Sequence, residues 1–112
     1  MGRMSAERVP PHPPIEEITL QQVLEALVDP LRRRIVIQLA TAGADISCGA
    51  FDLPVSKSTA THHFKVLREA GVIQQYYKGT SRMNALRAGE IGTAYPGLLE
   101  ALIAAESGDT TS

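Results

Sequence analysis

The chain has a single cysteine and no long apolar segment among its 112 residues. One cysteine, Cys48, excludes a disulfide within the chain and a zinc site built from several thiolates. No apolar run approaches the roughly 18–20 residues that a membrane-spanning helix needs. The N-terminal residues carry charges and prolines where a signal peptide would have an apolar stretch. We therefore predict a cytoplasmic protein that does not associate with membranes.

The sequence also lacks the motifs of common enzyme sites. It contains no glycine-rich phosphate loop, no nucleophile elbow and no pair of carboxylates at a catalytic spacing. His62 follows Ser58 by one helical turn, but no carboxylate that would orient the histidine accompanies this pair. We therefore predict no catalytic activity and no cofactor.

Charges are segregated along the chain although the formal net charge is only −1. Residues 30–87 contain nine basic and three acidic side chains, whereas residues 88–112 contain four acidic side chains and no basic one. A positive middle between acidic ends suits binding to a polyanion such as DNA. A solvated surface with paired charges explains the same composition, and a neutral domain lacks the high pI typical of nucleic-acid-binding proteins.

The two ends of the chain differ in composition from the rest. Residues 1–14 end in Pro-Pro-His-Pro-Pro, which predicts a disordered arm of polyproline type. The polar residues 107–112 are predicted to form a disordered tail. One folded domain is therefore expected over residues 15–106.

Apolar spacing and capping residues predict the order of elements within this domain. The expected helices cover residues 15–28, 30–42, 47–52, 57–70 and a last segment from Tyr95 onward. A β-hairpin is expected over residues 72–86, and Gly89 and Gly92 weaken any helix after it. A short helix, a tight turn, a longer helix and a two-stranded ribbon form a winged helix-turn-helix. The predicted fold class is therefore α+β, mainly α with a β-hairpin wing.

The helix over residues 57–70 has a polar face that suits DNA. At about 100° per residue, Ala60, Phe64 and Leu67 form its apolar stripe. The opposite face carries Ser58, Thr61, His62, Lys65 and Arg68. Hydroxyls and cations near a helix N-terminus bind phosphates and base edges, and the absence of aromatic residues from this face argues against single-strand binding. An ordinary solvated face explains this pattern equally well, but the acid-free basic hairpin that follows favours DNA.

Three arginines, Arg32, Arg33 and Arg34, lie in the first turns of the helix that begins at Pro30. The helix dipole disfavours cations at that end. Either acidic neighbours such as Glu16, Glu17 and Glu25 or a bound phosphate must therefore stabilise them. Arg33 and Arg34 are accordingly candidate phosphate contacts.

Two segments resemble the ArsR/SmtB family of winged-helix repressors. Residues 26–35, Ala-Leu-Val-Asp-Pro-Leu-Arg-Arg-Arg-Ile, resemble the family's AL-x-DP-x-RR-x-IL opening. Residues 56–73 resemble its recognition helix, S-x-S-HH-x-KVLREAGLV, and Lys78-Gly79-Thr80 falls where the family has its wing tip. The resemblance covers residues 20–90 and implies a homodimeric repressor that binds double-stranded operator DNA and releases it on a signal.

The resemblance implies roles for individual residues. Ser58, Thr61 and His62 take the positions that read bases and backbone. Lys57, Thr59 and Lys65 support them, and the wing contributes Lys78, Thr80 and Arg82. The first and last helices form the dimer interface, through Leu20, Val23, Leu24, Leu27, Tyr95, Leu98, Leu99, Leu102 and Ile103. The dimer is expected to place two copies of helix 57–70 in successive major grooves of an imperfect palindrome.

The resemblance does not identify the effector. Metal-sensing members carry paired cysteines near the third helix or Asp and His ligands along the last helix. This chain has Cys48 alone and neither His nor Cys in residues 88–112, so we predict no metal site. Cys48 is expected to be a small apolar side chain in the core, with a redox switch as the competing hypothesis. The sequence is also compatible with a repressor that has no effector, and with a winged-helix protein-interaction module that does not bind DNA.

Overall fold

A computed structural model describes residues 11–106 of the chain. Its five helices are α1 (Leu20–Leu27), α2 (Pro30–Ala42), α3 (Lys57–Glu69), α4 (Ala88–Ala94) and α5 (Leu98–Glu106). Its three strands are β1 (Ile46–Ser47), β2 (Ile73–Lys78) and β3 (Ser81–Leu86), which form an antiparallel sheet in the order β1-β3-β2. The predicted α+β class, with a β-hairpin following the longer helix, is confirmed.

Side-chain caps define where the two central helices begin. Asp29 Oδ1 accepts hydrogen bonds from the backbone N–H groups of Leu31 at 2.7 Å and Arg32 at 3.4 Å, and Pro30 occupies the first helical position of α2. Ser56 Oγ accepts from the N–H of Thr59 at 3.2 Å at the start of α3. These two starts were predicted from the residue types alone, because caps are local interactions.

The predicted helix over residues 15–28 is interrupted. A 3₁₀ turn covers Ile15–Glu17, and α1 begins only after Thr19. Thr19 has an extended backbone, and its Oγ1 accepts a hydrogen bond from the N–H of Gln22 at 3.1 Å. This capping interaction starts a new helix at Leu20 and ends the earlier turn.

Two further segments differ from the prediction. Ile46 and Ser47 pair with Asn84 and Met83 of β3, so residues 47–52 form a strand end and a 3₁₀ turn, Cys48–Ala50, instead of a short helix. The segment with Gly89 and Gly92 forms α4, which is anchored by the fully buried Ile91. Tyr95 therefore ends α4 and does not begin the last helix. Burial of one large side chain outweighs the weak helix propensity of the glycines.

The end of the predicted N-terminal arm lies against the sheet. His12 Nε2 accepts a hydrogen bond from the backbone N–H of Gln75 at 2.8 Å, and the carbonyl of Pro13 accepts from Arg87 Nη1 at 2.9 Å. Because β2 is an edge strand, this contact occupies one of its free N–H groups. The rest of the predicted arm, 1–10, and the predicted tail, 107–112, lie outside the described residues.

The buried core joins all five helices to the sheet. Its fully buried apolar members include Val23, Ile35, Val36, Leu67, Val72, Ile73 and Ile91. No helix within residues 11–106 has the length and apolar character needed to cross a membrane.

Candidate nucleic-acid interface

The outer face of α3 presents every side chain of this helix that was predicted for DNA recognition. The exposed residues are Lys57, Ser58, Thr59, Thr61, His62 and Lys65. The inner face carries the predicted apolar stripe, with Phe64 buried against Phe51 at a ring-centroid distance of 5.1 Å. The helix is therefore fixed from behind by the core while its polar face stays open to solvent.

A small hydroxyl cluster occupies the N-terminal turn of α3. Ser56 Oγ lies 3.2 Å from Ser58 Oγ and donates to Thr59 Oγ1 at 3.1 Å. Thr61 Oγ1 donates to the Lys57 carbonyl at 2.8 Å, which leaves the lone pairs of this hydroxyl oxygen able to accept. These contacts orient short polar groups at the positive end of the helix dipole, where phosphates bind favourably.

The β2–β3 hairpin places a second set of predicted residues beside α3. Lys78 and Thr80 are exposed, and the Arg82 guanidinium lies over the Tyr77 ring, 5.4 Å from its centroid. Tyr77 and Arg82 face each other across the strands, so a cation–π contact orients the arginine. A cleft of about 300 Å³ lies between helix and hairpin, and its lining includes Thr61, Thr80 and Arg82.

The charge of this surface is positive. Glu69, the only acidic residue of α3, is at its C-terminal end, with Oε2 3.9 Å from Arg68 Nη2. The hairpin strands and their turn contain no acidic residue. Lys57, Lys65 and Lys78 are exposed cations of helix and wing. The recognition helix and the wing thus form one cationic surface.

Arg68 is the exception on α3, because the prediction placed it at the edge of the exposed face. It is only 7% exposed, and its Nη1 donates to Gln75 Oε1 at 2.9 Å. Gln75 Nε2 in turn donates to Asn84 Oδ1 at 2.8 Å. The sheet covers the C-terminal turn of the helix, so Arg68 links α3 to β2 inside the domain and is not a surface cation. The position of Arg68 around the helix axis could not predict this burial, because it depends on the packing of the sheet against α3.

Cys48 lies at the edge of the same polar cluster. The residue is half-buried against the core, and its Sγ is 3.3 Å from Asn84 Nδ2. The prediction placed Cys48 in the core, whereas the structure places it half-buried at the edge of the core.

Two of the three arginines at the start of α2 bind backbone carbonyls, not the predicted acidic residues Glu16, Glu17 or Glu25. Arg32 Nε donates to the Ala26 carbonyl, and Arg33 Nη1 donates to the carbonyls of Leu27 and Val28, both at 2.9 Å. These carbonyls lie at the C-terminal end of α1, where the helix itself supplies no N–H donors for them. The cations therefore cap the preceding helix, which offsets their unfavourable position in α2.

The predicted phosphate contacts Arg33 and Arg34 each have an acidic neighbour. Arg33 Nε is 3.2 Å from Glu106 Oε2, although not aligned for a hydrogen bond, and Arg34 Nη2 is 3.3 Å from Asp52 Oδ2. Arg34, Asp52 and Glu106 line a shallow cleft that contains no residue of α3. Since both arginines have acidic neighbours there, we leave them out of the interface.

His63 faces inward, whereas His62 is exposed. His63 is 8% exposed, and its Nδ1 lies 3.1 Å from Arg32 Nη1. An arginine has only donors, so Nδ1 must be the unprotonated acceptor. Burial lowers the pKa of His63, and the Arg32 charge lowers it further, against an opposing effect of Asp29.

Acidification should therefore destabilise the fold through His63. The unfolded chain binds a proton near pH 6.5, whereas folded His63 binds one only at lower pH, so this stability is present above about pH 6.5 and is lost as the pH falls. We expect the melting temperature of His63→Gln to fall less than that of the wild type between about pH 7.5 and 5.5. Thermal unfolding followed by circular dichroism measures this.

The matched control is His62→Gln, because His62 is exposed on the same helix. It retains the buried His63, so its melting temperature should still fall on acidification by more than that of His63→Gln. Burial also lowers the pKa of His12, which should leave a pH effect of the same direction in every variant. A His63→Gln protein as sensitive to acid as the wild type would rule out the proposed role of His63.

The predicted dimer residues separate into two groups. Val23, Leu27 and Leu99 are buried inside the single chain and belong to its core. Leu20 and Leu24 are each 46% exposed, and Val28, which the prediction omitted, is 71% exposed. Leu20, Leu24 and Val28 follow each other at intervals of four and form one apolar stripe along α1, called here the α1 stripe.

The predicted dimer residues of the C-terminal region are only partly exposed to solvent, with one exception, the buried Leu99. Tyr95, Leu98, Leu102 and Ile103 are half-buried against the core. The Tyr95 hydroxyl donates to the Ile18 carbonyl at 3.0 Å, which ties this region to the start of the domain.

Within residues 11–106, no three His, Cys, Asp or Glu side chains form a group that could hold a metal ion.

Two solved structures share the fold of this chain. An ArsR family transcriptional regulator, RHA00566, aligns with a TM-score of 0.56 and 20% identity over 83% of this chain and 97% of its own. The M. tuberculosis protein Rv0081 aligns with a TM-score of 0.58 and 24% identity over 80% of this chain and 89% of its own. At these identities the likeness establishes the fold.

Sequence comparisons extend the likeness to the family. The family profile for "Bacterial regulatory protein, arsR family" matches residues 29–75, from the cap of α2 into β2. An uncharacterized HTH-type transcriptional regulator of Bacillus subtilis (strain 168), YceK, is 36% identical over 83 residues, which are 72% of this chain and 83% of that protein. The chain belongs to the ArsR family of DNA-binding transcriptional regulators, which are not enzymes.

Proposed function

We propose that this protein is a repressor that binds an imperfect palindromic operator as a two-fold dimer and releases it when an effector binds. One observation carries this proposal. The polar face of α3 and the tip of the β2–β3 wing form a single cationic surface around one cleft. A helix flanked by a basic hairpin can enter a major groove while the hairpin contacts the adjacent phosphates.

Within this surface the residues have different roles. Ser58, Thr61, His62 and Lys65 are the base-reading side chains, since they lie on the outer face of α3. Lys57 and Thr59 support them at the N-terminal turn. Lys78, Thr80 and Arg82 contact phosphates from the wing, because a hairpin beside the groove follows the backbone and not the base edges.

The α1 stripe supports the dimer. Its three apolar residues, Leu20, Leu24 and Val28, stay exposed in the described part of the single chain. Isologous pairing of this stripe with a second copy removes it from water and relates the two α3 helices by a two-fold axis. Operator half-sites should then be centred about 10 bp, or a multiple of about 10 bp, apart.

Two lysines should differ in what they contribute to affinity. Lys65→Ala should weaken operator binding by about 1–3 kcal/mol and relax the preference at one base position, because it removes a base contact. Lys78→Ala should weaken binding to operator and random duplex equally and reduce the salt slope by about 1, because it removes a phosphate contact. Fluorescence anisotropy with single-base operator variants at several salt concentrations distinguishes the two.

Each lysine variant serves as the control for the other, since both are exposed and both lose one charge. If Lys65→Ala lowered affinity to the same extent for every duplex, Lys65 would be a phosphate contact and its assignment as a base reader would be wrong.

The operator symmetry can be tested without knowledge of the regulated genes. Selection of bound duplexes from a random library should enrich an imperfect palindrome with the half-site spacing given above. In vitro transcription from a promoter that overlaps the selected site should then decrease as the protein is added. Enrichment of an asymmetric single site would argue against the dimer, and an increase in transcripts would argue against repression.

A further inference from the structure

A second cavity shares no lining residue with the cleft between α3 and the wing. It has a volume of about 410 Å³ and lies among the C-terminal end of α2, the end of β3, α4 and α5. Leu39, Leu99 and Ile103 form its apolar floor, and Leu39 and Leu99 are otherwise buried core residues. The volume falls in the range of about 300–1,000 Å³ that is typical of small-molecule sites.

Small side chains keep this space open. Five of the eleven lining residues are glycine or alanine. A Cβ atom placed on Gly92 of α4 would meet no atom within 4 Å, so the space beside this glycine is empty. Gly92 is also unfavourable for a helix, by about 1 kcal/mol relative to alanine. The sequence thus retains a helix-weakening residue at the position where a larger side chain would fill the cavity.

The rim of the cavity is acidic. Asp45 and Glu100 are its charged residues, and none of the lining residues, all of which lie within 11–106, is basic. The Glu100 carboxylate has no hydrogen bond or ion pair with another residue of that range. The chain from residue 88 onward contains no basic residue. An apolar pocket with two carboxylates at its mouth attracts cations and disfavours anions.

We propose that this cavity binds a compact hydrophobic molecule that carries a protonated amine. Its apolar body would contact Leu39, Leu99 and Ile103, and its ammonium group would lie between the carboxylates of Asp45 and Glu100. Charge-assisted hydrogen bonds to these carboxylates distinguish such an amine from an uncharged molecule of the same shape.

The cavity is connected to the wing, so the ligand is assigned as the effector, an inference that rests on the proposed function. The Asp45 carboxylate accepts a hydrogen bond from the Tyr76 hydroxyl on β2. Asp45 also precedes β1, which pairs with β3 of the wing. An ammonium group at Asp45 competes with the Tyr76 hydroxyl, and this competition alters the contact between the cavity and the strand that leads to Lys78.

Binding can be tested directly on the full chain in the absence of DNA. The probes are phenethylamine and 1-adamantylamine, with 2-phenylethanol and 1-adamantanol as uncharged counterparts, in isothermal titration calorimetry. We expect saturable binding of an amine, at least about tenfold tighter than its alcohol. Asp45→Asn and Glu100→Gln should each reduce this preference.

Two leucine substitutions in α4 locate the site. Gly92→Leu should fill the cavity and remove amine binding. Gly89→Leu should retain it, since Gly89 is in the same helix but does not line the cavity. Both positions have open space for a Cβ, so both variants should fold, and their melting temperatures check this. Three outcomes would each overturn the site. They are no binding of either amine, equal affinity for an amine and its alcohol, and undiminished amine binding to Gly92→Leu.

The effector role has a separate readout. A saturating amine should weaken operator binding of the wild type by about tenfold or more and leave Gly92→Leu unaffected. Amine binding without any change in operator affinity would overturn the effector role. Absence of sequence-specific binding without the amine would instead overturn the proposed function, and the calorimetric result would stand independently.

Discussion

The substitution Leu24→Glu should convert the proposed dimer to monomers and weaken operator binding by about 100-fold or more. Leu24 is at the centre of the α1 stripe and half-exposed in the single chain, so a glutamate there remains solvated in the monomer. In a two-fold interface the same residue meets its partner near the axis, where two carboxylates would be buried together without a counter-charge. Sedimentation equilibrium measures the assembly, and fluorescence anisotropy measures the affinity.

The matched control for this substitution is Gln21→Glu. It adds the same charge to the same helix, on an exposed polar position beside the stripe. The control should remain dimeric and lose little affinity, because no apolar contact is changed. If Leu24→Glu sedimented like the wild type, the α1 stripe would not be the interface, and the partly buried C-terminal residues would become the next candidates.

The substitution Gly71→Ala should destabilise the fold by about 2–4 kcal/mol. Gly71 follows α3 with φ +79°, a conformation that strains any residue with a Cβ. A Cβ placed there would also lie 1.8 Å from Cδ1 and 2.7 Å from Cγ1 of Ile18, which is itself buried. Strain and overlap both oppose the substitution. Urea denaturation at a fixed protein concentration measures the change in free energy of unfolding.

A second glycine separates the two effects at Gly71. Gly79, in the hairpin turn, has φ +64° but no atom within 4 Å of a Cβ, so Gly79→Ala should show only the backbone strain, about 1 kcal/mol. Shortening Ile18 in the double variant Ile18→Ala, Gly71→Ala should recover part of the loss at Gly71. Equal losses for the two glycine variants would mean that Ile18 moves aside and that crowding plays no part.

The recognition face could be predicted from the sequence because its determinants are local. The cap at Ser56 and the apolar stripe of Ala60, Phe64 and Leu67 fix the start of α3 and its inner face. Once the inner face is fixed, the exposed positions follow from the rotation of about 100° per residue. Arg68 departs from this rule because β2 covers the end of the helix, and that contact joins elements distant in sequence.

The cations at the start of α2 show the opposite situation. Charge pattern alone suggested a phosphate or the nearby acidic residues for Arg33, but its Nη1 donates to carbonyls at the end of α1, and its acidic neighbour is the distant Glu106. These carbonyls come into reach only through the tight turn between the two helices. The sequence shows which side chains carry charge, but it does not show which backbone carbonyls lack a hydrogen-bond donor.

The dimer surface was predicted only in part for a related reason. Every apolar residue of α1 satisfies a helical pattern, and the choice between the core-facing and outward-facing sets depends on where α2 and α3 pack. The structure assigns Val23 and Leu27 to the core and leaves Leu20, Leu24 and Val28 outside. The cavity beside Gly92 likewise could not be predicted from the sequence, because residues of four separate elements form it.

The most direct test of the DNA-binding surface is a fluorescence-anisotropy titration with the duplex upstream of the protein's own gene. A scrambled duplex of equal length and composition is the reference, and both are titrated at two salt concentrations. We expect tighter binding to the native duplex, with an affinity that falls steeply as salt increases, because base contacts add specificity to phosphate contacts. Equal and weak binding to both duplexes at both salt concentrations would contradict the assignment of α3 and the wing as a sequence-reading surface.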